Sequence, residues 1–581
     1  MKQFLYLCLI AIILNSCALS PFHSFGHVPS KPGTYPRFTI NDTIRNKLDD
    51  LRAGYDVSYY DIDIKVDPAR ESISGNVRMA FNALTDLKKM RLDLYDNMEV
   101  EAVMNGDQKL SFTRNDRAIT VDLPFVLHEG NDCCLKIIYN GKPVVAKRPP
   151  WQGGLVWSHD RSDNPWFGVT CETEGASLWF PCKDHLSDEP DSVRIKVTVP
   201  EGLQVVSNGI MTGHSSSAGL ESFVWETQYP ENIYNITFYG GHFEYLSDTL
   251  MTSQGILKLG YYVLPENLDI AKSHFTQVKD VLNCYSELFG PYPWINEGFK
   301  LIESPYEGME HQTAIAYGNR FKNSSILGGD YIIVHESAHE WWGNAVSVSD
   351  FSDIWLQEGF ATYSECLFVE KKLGRARALE YISYMLAPFI YNKLPVVGPR
   401  DVGYWDFKDI DVYFKGAMIL HSLRNIIAND SVFFDILRTF YSDHARGSHP
   451  DSHDFISLVE HKTGRSWKNF FDVYLNQRET PLLEWYYSNG KDEGMSIPQL
   501  KQGKPFIIAR FSRVPEGFTM PVTFFCTDTK STFKIEVTNE LMLFYLPSEF
   551  DCTRILCNPD LTYFENSPTF KILSELENKW Y

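Results

Sequence analysis

Strict alternation of apolar and polar residues dominates the first half of the chain. From Asp61 to Val66 every second residue is apolar, and the pattern returns at 77–81 and at 193–199. Side chains of a β-strand point alternately to opposite faces of a sheet, so this period of two predicts strands with one buried face. Because the pattern recurs between about residues 56 and 245, it predicts a large antiparallel β-domain.

The period changes to that of a helix near Ala271. An amphipathic helix is predicted over 274–288, and it should end at Gly290-Pro291. A mostly helical region follows to about residue 476. Its helices are predicted at 331–342, 354–373, 376–390, 413–428 and 432–442. Beyond Pro481 the strand pattern returns, which predicts a small β-sandwich.

These patterns predict a multidomain α+β protein. A chain of 581 residues is too long for one hydrophobic core, in agreement with several domains. We expect a signal segment, a tether, an N-terminal β-sheet domain, a mostly helical domain and a C-terminal β-domain. Their boundaries are placed, in this order, at 1–17, 18–45, 46–248, 249–485 and 486–581.

The first residues resemble a secretory signal that ends at a lipid attachment site. Lys2 precedes an apolar run from Phe4 to Leu14, which is too short for a transmembrane helix. The following Asn15-Ser16-Cys17 completes a sequence that resembles a bacterial lipobox. We expect lipidated Cys17 to anchor the exported protein in the bacterial cell envelope, facing the periplasm. The alternative is an ordinary secretory signal, in which Cys17 has no special role.

Composition and charge narrow the classes of partner. Apolar residues make up 44% of the chain, which is sufficient for packed cores. The formal net charge is −20, and no basic face stands out, which argues against nucleic acid as a partner. Export permits disulfides. Cys526, Cys552 and Cys557 are close enough in sequence to contain a disulfide pair, which the sequence cannot assign.

The strongest chemical signal is the pentad His335-Glu336-Ser337-Ala338-His339. On a helix, residues i and i+4 lie on one face, so two imidazoles are placed to bind one metal ion. Residues 340–357 leave room for a turn into a second helix that carries Glu358, which is the spacing of glutamate zincins. Two imidazoles and one carboxylate form a three-ligand Zn²⁺ site with an open position for water.

Neighbouring residues support this site. Asp330 is the predicted N-cap of the first helix, and Gly343-Asn344 its predicted end. Glu336 is the expected general base, because it can accept a proton from water acidified by Zn²⁺ and return it to the leaving amine. Glu365 shares a face with Glu358. We expect it either to orient a ligand imidazole or to be a solvated surface carboxylate.

Five segments together resemble the aminopeptidase N family of zinc peptidases, which is peptidase family M1 of the gluzincins. HESAHEWWGN at 335–344 and WLQEGFATY at 355–363 resemble its two zinc segments. YEGMEHQ at 306–312 resembles its exopeptidase motif, and VYFKGA at 412–417 its transition-state tyrosine segment. Residues 171–184, which include CETEG and WFPCKD, resemble the segment that lines the S1 site. The resemblance covers about residues 50–485.

The resemblance implies a fold and a set of roles. The helical domain should be thermolysin-like and should hold one zinc ion per chain through His335, His339 and Glu358. Peptides with a free N-terminus are the implied substrates.

Further roles are implied in the same way. Glu310 and Glu172 would bind the substrate α-ammonium through charge-assisted hydrogen bonds, with Gly308 and Met309 as further substrate-binding residues. Tyr413 would donate a hydrogen bond to the oxyanion of the tetrahedral intermediate.

The chain departs from the family pattern in two places. Glu307 stands where the family usually has Gly, and His311 stands where it has Asn. We expect both near the cleft, where they would alter side-chain preference or pH dependence. Many relatives end in a large helical domain, whereas residues 486–581 of this chain are rich in strand patterns.

The leading hypothesis is a zinc-dependent aminopeptidase that acts on exported or extracellular peptides. A thermolysin-type zinc endopeptidase is the first alternative, although Glu310 and Glu172 would then have no cation to meet. The second alternative is a catalytically decayed peptide-binding lipoprotein, against which the intact set of candidate catalytic residues argues.

Overall fold

The computed structural model describes Phe38 and residues 43–403, 410–490, 503–547, 550 and 552–569. The expected signal segment, Cys17 and most of the expected tether lie outside these residues. None of the described helices is long and apolar enough to cross a membrane.

The N-terminal part consists of three β-sheets. Its strands are β1 (Tyr55–Asp67), β2 (Ser72–Ala83), β3 (Leu87–Asp93), β4 (Met98–Asn105), β5 (Gln108–Leu110), β6 (Phe112–Asn115), β7 (Ala118–Leu127), β8 (Asp132–Gly141), β9 (Gly154–His159), β10 (Pro165–Thr170), β11 (Ser192–Pro200), β12 (Gln204–Ser207), β13 (Ile210–Ser217), β14 (Leu220–Glu226) and β15 (Phe238–Gly241). The sheets have the orders β13-β14-β11-β1-β2-β8-β4-β5, β12-β15-β10-β9 and β3-β7-β6.

This arrangement confirms the predicted β-domain with one correction. Ile62, Ile64 and Val66 are at most 1% exposed, as their alternation with polar residues predicts. The pairs of the largest sheet are antiparallel except that of β1 with β11, which is parallel. The chain reaches β11 only after a long excursion through β2–β10, and such a crossover allows parallel pairing.

A five-stranded mixed sheet borders the helices of the next part. Its strands are β16 (Glu244–Thr252), β17 (Gly255–Val263), β18 (Phe299–Glu303), β19 (Gly308–Met309) and β20 (Ile315–Tyr317), in the order β16-β17-β18-β20-β19. The strands β18–β20 were not predicted, because all five residues of β18 are buried and show no alternation. The short strand β19 lies at the edge of the sheet.

Helices form the rest of this part. They are α1 (Asp50–Ala53, in the N-terminal part), α2 (Leu268–His274), α3 (Val278–Phe289), α4 (Tyr331–His339), α5 (Trp355–Leu373), α6 (Arg375–Tyr381), α7 (Phe414–Ile427), α8 (Asp430–His444), α9 (Ser452–Thr463) and α10 (Lys468–Asn476). The helix predicted over 376–390 is wrong in its second half, where a π-turn (Ile382–Leu386) and a 3₁₀ turn (Ala387–Phe389) replace it. Pro388 lacks an N–H for the helical ladder.

The C-terminal part is a small sandwich of two sheets. Its strands are β21 (Leu482–Ser488), β22 (Phe506–Ser512), β23 (Thr519–Cys526), β24 (Thr532–Thr538), β25 (Met542–Tyr545), β26 (Ile555–Cys557) and β27 (Glu565–Pro568), in sheets of order β25-β22-β21-β27 and β24-β23-β26. Trp485 and Phe524 join the sheets with ring centroids 5.2 Å apart. A disulfide links Cys526 with Cys552, two of the three cysteines that the sequence left unassigned.

Two glycines set the separation of the helices α5 and α7. A Cβ atom on Gly359 of α5 would lie 2.9 Å from the Cα of Gly416 in α7. The backbones can therefore approach this closely only where both residues lack a side chain. Gly359 follows Glu358, and Tyr413 immediately precedes α7, so this crossing fixes the distance between two predicted site residues.

We expect Gly359→Ala to lower the free energy of unfolding by about 1–3 kcal/mol, because the added methyl group must push the helices apart. The loss would appear although alanine favours helix more than glycine does. Urea unfolding followed by circular dichroism measures it. Gly213→Ala is the matched control, since its Cβ would lie no closer than 3.4 Å to Val224. Equal stability of the Gly359→Ala and wild-type proteins would contradict this account.

Candidate active site

The pentad lies on α4, whose first turn is firmly anchored. Asp330 caps the helix by accepting hydrogen bonds from the backbone N–H groups of Ile332 and Ile333 at 2.9 and 3.4 Å, as predicted. Its carboxylate also accepts from the Tyr317 hydroxyl at 2.8 Å and contacts His274 Nε2 at 2.7 Å. The cap therefore joins α4 to β20 and α2.

Three buried donor atoms converge between α4 and α5. The Nε2 atoms of His335 and His339 are 3.2 Å apart, and Glu358 Oε2 lies 3.6 and 3.4 Å from them. Donors about 2.0–2.1 Å from a tetrahedral zinc ion are separated by about 3.3 Å, so the three atoms fit such an ion. Glu358 Oε2 is buried and has no hydrogen-bond partner in the described part of the chain, as expected of a metal ligand.

Outer contacts leave both Nε2 atoms available. His335 Nδ1 lies 2.6 Å from Glu365 Oε1, and the other oxygen of Glu365 accepts a hydrogen bond from Tyr381. His339 Nδ1 donates to the Trp342 carbonyl at 2.8 Å. With Nδ1 as the donor in each ring, the Nε2 lone pair is free to bind metal. The first of the two roles expected for Glu365 is therefore the one that the structure favours.

Electrostatics favour positive charge at this position. Burial opposes the charge of Glu358, but the two imidazoles outweigh burial and hold its pKa at about 2. Burial alone would lower the pKa of His335 and His339, yet the neighbouring carboxylates raise both. A bound cation would be stabilised by the same carboxylates.

Glu336 lies against this centre. Burial raises its pKa to about 8, with Glu310 and Glu358 adding to the rise and both imidazoles opposing it. A Cβ on Gly308 would lie 2.6 Å from Glu336 Oε1. The absence of a side chain at Gly308 therefore leaves room for this carboxylate beside the edge strand β19.

Two further carboxylates reach the same cleft from different parts of the fold. Glu310 follows β19 and accepts a hydrogen bond from the Tyr234 hydroxyl at 3.1 Å. Glu172 lies on the loop after β10, in the N-terminal part. Burial and the charges of Glu310, Glu358 and Glu336 raise its pKa well above the ordinary value. No lysine or arginine of the described residues forms an ion pair with any of these carboxylates.

Arg45 holds the loop that carries Glu172. Its guanidinium donates to the Glu172 carbonyl at 3.2 Å and to the Thr173 carbonyl, and it pairs with Asp184 at 3.3 Å. Neither this contact nor that of Tyr234 with Glu310 was predicted from the sequence. In each contact the two residues are far apart in the chain, and no motif joins them. Arg45 itself falls within the range expected for the tether, but it is only 6% exposed.

The remaining predicted site residues also lie at the cleft. Tyr413 precedes α7, is 8% exposed, and its ring centroid lies 6.4 Å from that of His335. Met309 occupies the edge strand, where its sulfur accepts a hydrogen bond from Thr170 at 3.7 Å. The cleft is lined by Pro150, Trp151, Glu172, Glu307, Gly308, Met309, Glu310, Tyr331, Ile332, His335, Glu336, Glu358 and Tyr413.

His311 does not line the cleft, and the expectation that it lies there is wrong. Its side chain is fully buried, and Nδ1 lies 2.6 Å from the hydroxyl of Tyr239. Burial lowers its pKa to about 3, so the imidazole is neutral at physiological pH. Position 311 is directed towards β15 instead, because Tyr239 of that strand binds its imidazole there. Glu307 does line the cleft, as expected.

A second cavity of about 670 Å³ lies away from these residues, between β13–β14 and β16–β18. It contains none of the three metal donors. In the described part of the chain, His335, His339 and Glu358 form the one group of three side chains suited to a metal ion.

Two family models match the chain. The Peptidase family M1 domain matches residues 275–474, and the Peptidase M1 N-terminal domain matches residues 57–233. Together the matches cover more than half of the sequence and include every predicted site residue.

Two aminopeptidases are similar to this chain in sequence. Endoplasmic reticulum aminopeptidase 1 of Mus musculus is 26% identical over 283 residues, which are 45% of this chain and 30% of that protein. Aminopeptidase M1 of Arabidopsis thaliana is 24% identical over 477 residues, which are 77% of this chain and 53% of that protein. The chain thus spans about a third to a half of the length of these relatives.

The fold is similar to that of an M1 zinc metallopeptidase from Deinococcus radiodurans. The TM-score is 0.61 at 24% identity, and the match covers 73% of this chain and 94% of that protein. A related structure, of a mutant of that metallopeptidase bound to a Tyr-ser-ala substrate, gives a TM-score of 0.60. From the two matching domains and the shared fold, the chain belongs to peptidase family M1.

Proposed function

We propose that the protein is a zinc-dependent aminopeptidase that removes the N-terminal residue of peptides. The observation that carries this proposal is the position of Glu310 and Glu172. Both carboxylates face the cleft beside the metal donors, and neither has a lysine or arginine partner in the described part of the chain. A substrate α-ammonium would supply the missing positive charge through charge-assisted hydrogen bonds.

His335, His339 and Glu358 would hold the zinc ion. When bound, zinc supplies a Lewis acid that acidifies a water molecule and polarises the scissile carbonyl. Glu336 accepts a proton from the attacking water and returns it to the nitrogen of the leaving amine.

The other residues of the site position the substrate. Glu310 and Glu172 bind the α-ammonium, so that the bond after the first residue lies beside Glu336. Tyr234 fixes the Glu310 carboxylate by its hydrogen bond of 3.1 Å. Tyr413 donates a hydrogen bond to the carbonyl oxygen as negative charge develops on it, which stabilises the transition state more than the ground state.

The two other hypotheses are less well supported. An endopeptidase of the thermolysin type would place uncharged peptide backbone against Glu310 and Glu172, which would leave two carboxylates without a partner. A decayed peptide-binding protein would not need the Glu365 contact that orients His335, nor the spacing of the three donor atoms.

We expect Glu336→Gln to reduce kcat on leucyl-p-nitroanilide by about 10³-fold, because glutamine cannot accept the proton from water. Its zinc content should stay near one ion per chain, since residue 336 is not a ligand. Zinc is measured by atomic absorption. A chelator should abolish the activity of the wild-type protein, and added zinc should restore it. Glu201→Gln, in an exposed turn, is the control. Full activity of Glu336→Gln would sink the assigned role of this residue.

Recognition of the α-ammonium predicts a strong dependence on a free N-terminus. N-acetyl-leucyl-p-nitroanilide should be hydrolysed at least about 10³-fold more slowly than the free amine. Glu310→Gln should lower kcat/KM for the free amine by about 10- to 100-fold, because a charge-assisted bond is replaced by a neutral one. Equal rates on both substrates would show that the protein is not an aminopeptidase.

We also propose that lipidated Cys17 anchors the protein in the bacterial envelope, so that its substrates are exported or extracellular peptides. The support for this proposal is the sequence of residues 1–17 alone. Cells grown with labelled palmitate should label the wild-type protein and the Cys8→Ser variant. Cys17→Ser should lose the label and leave the membrane fraction. Continued labelling of Cys17→Ser would contradict this proposal.

A further inference from the structure

Glu307 is a cleft residue for which the proposed mechanism has no use. It immediately precedes β19 and lines the cleft together with Gly308 and Glu310. Its carboxylate forms no hydrogen bond and no ion pair with the described residues, whereas its backbone carbonyl accepts from Gly318 N at 2.8 Å. Partial burial raises the pKa of Glu307, and the exposed Arg320 and Lys322 oppose that rise. A partly buried carboxylate without a partner favours a cation in the cleft.

The position of Glu307 along β19 shows which part of a substrate it would meet. Glu310 marks the α-ammonium, and Gly308 lies against Glu336, where the bond would be broken. Glu307 lies on the far side of Gly308 from Glu310. It therefore faces the leaving-group side of the cleft.

The unpaired edge of β19 also indicates that a bound peptide would run from Glu310 towards Glu307. Among the described strands, β19 pairs with β20 alone, through Gly308 with Tyr317 and Met309 with Ala316, which leaves its other edge unpaired. An extended peptide can add to such an edge as a further strand. If it runs antiparallel to β19 with its N-terminus at Glu310, the residues after its first extend past Gly308 towards Glu307.

An aromatic ring stands beside this position. Tyr331 begins α4, lines the same cleft, and stacks on His335 with ring centroids 5.5 Å apart. The negative charge of Glu307 is among those that raise the pKa of Tyr331, after burial and the charges of three other glutamates. A carboxylate and an aromatic face together recognise the side chains of lysine and arginine.

We propose that Glu307 selects peptides with lysine or arginine as the second residue, the one that follows the scissile bond. This proposal rests on the proposed aminopeptidase activity. Arg320 and Lys322 are exposed and form no ion pair with Glu307, so solvent screens their competition for its charge.

Tripeptides that differ only at the second residue test the proposal. The wild-type protein should hydrolyse Leu-Lys-Ala with a kcat/KM about five- to tenfold above that for Leu-Met-Ala, whose side chain has similar length. Leu-Glu-Ala should be the poorest of the three. Raising the salt concentration should reduce the preference, because the paired charges are partly exposed. Release of leucine measures each rate.

Variants at position 307 connect the preference with this residue. In Glu307→Gln the ratio of the Lys to the Met peptide should fall to about one, and Glu307→Lys should reverse the order in favour of Leu-Glu-Ala. Glu201→Gln removes an equal charge from an exposed turn and should keep the wild-type ratio. A wild-type ratio of one, or an unchanged ratio in Glu307→Gln, would overturn the proposal.

Leucyl-p-nitroanilide separates the two levels of the account, since it has no second residue. If the wild-type protein hydrolyses this substrate but shows no preference for Leu-Lys-Ala over Leu-Met-Ala, only the role of Glu307 is overturned. Failure of the wild-type protein to hydrolyse it would overturn the proposed function itself, and the selection with it.

Discussion

Negative charge gathered at one buried place governs this structure. Glu172, Glu310, Glu336 and Glu358 face a common cleft, and no lysine or arginine of the described residues pairs with any of them. Removing several carboxylates from water is unfavourable unless cations accompany them. A metal ion and a substrate ammonium would both supply the missing positive charge. The same four carboxylates therefore account for the electrostatics of the site and for its proposed chemistry.

The scaffold brings these charges together from separate elements of the fold. α4 and α5 supply the metal donors, and the edge strand β19 leads into Glu310. The N-terminal part contributes Glu172, on a loop that Arg45 holds, and Tyr234, which donates to Glu310. Because the cleft is assembled from two parts of the chain, the catalytic part alone would lack half of the proposed ammonium site.

The sequence predicted the local features well and the distant ones poorly. The N-cap Asp330 and the alternation in β1 depend on neighbouring residues, and both have the structure that their patterns indicate. The contact of Arg45 with the loop at residue 172 joins positions far apart in sequence, so no local pattern could show it. Both faces of the strand β18 are buried, so its sequence shows no alternation of apolar and polar residues from which a strand could be predicted. His311 was misplaced because a motif gives the identity of a residue but not its direction.

Diffraction from crystals of the Glu336→Gln protein with a bound tripeptide tests the central claim most directly. Anomalous scattering at the zinc edge should give one peak, coordinated by Nε2 of His335 and His339 and by Glu358. The α-amine of the peptide should lie within hydrogen-bond distance of Glu310 and Glu172. A zinc peak at other side chains, or a peptide amine directed away from both carboxylates, would contradict the account.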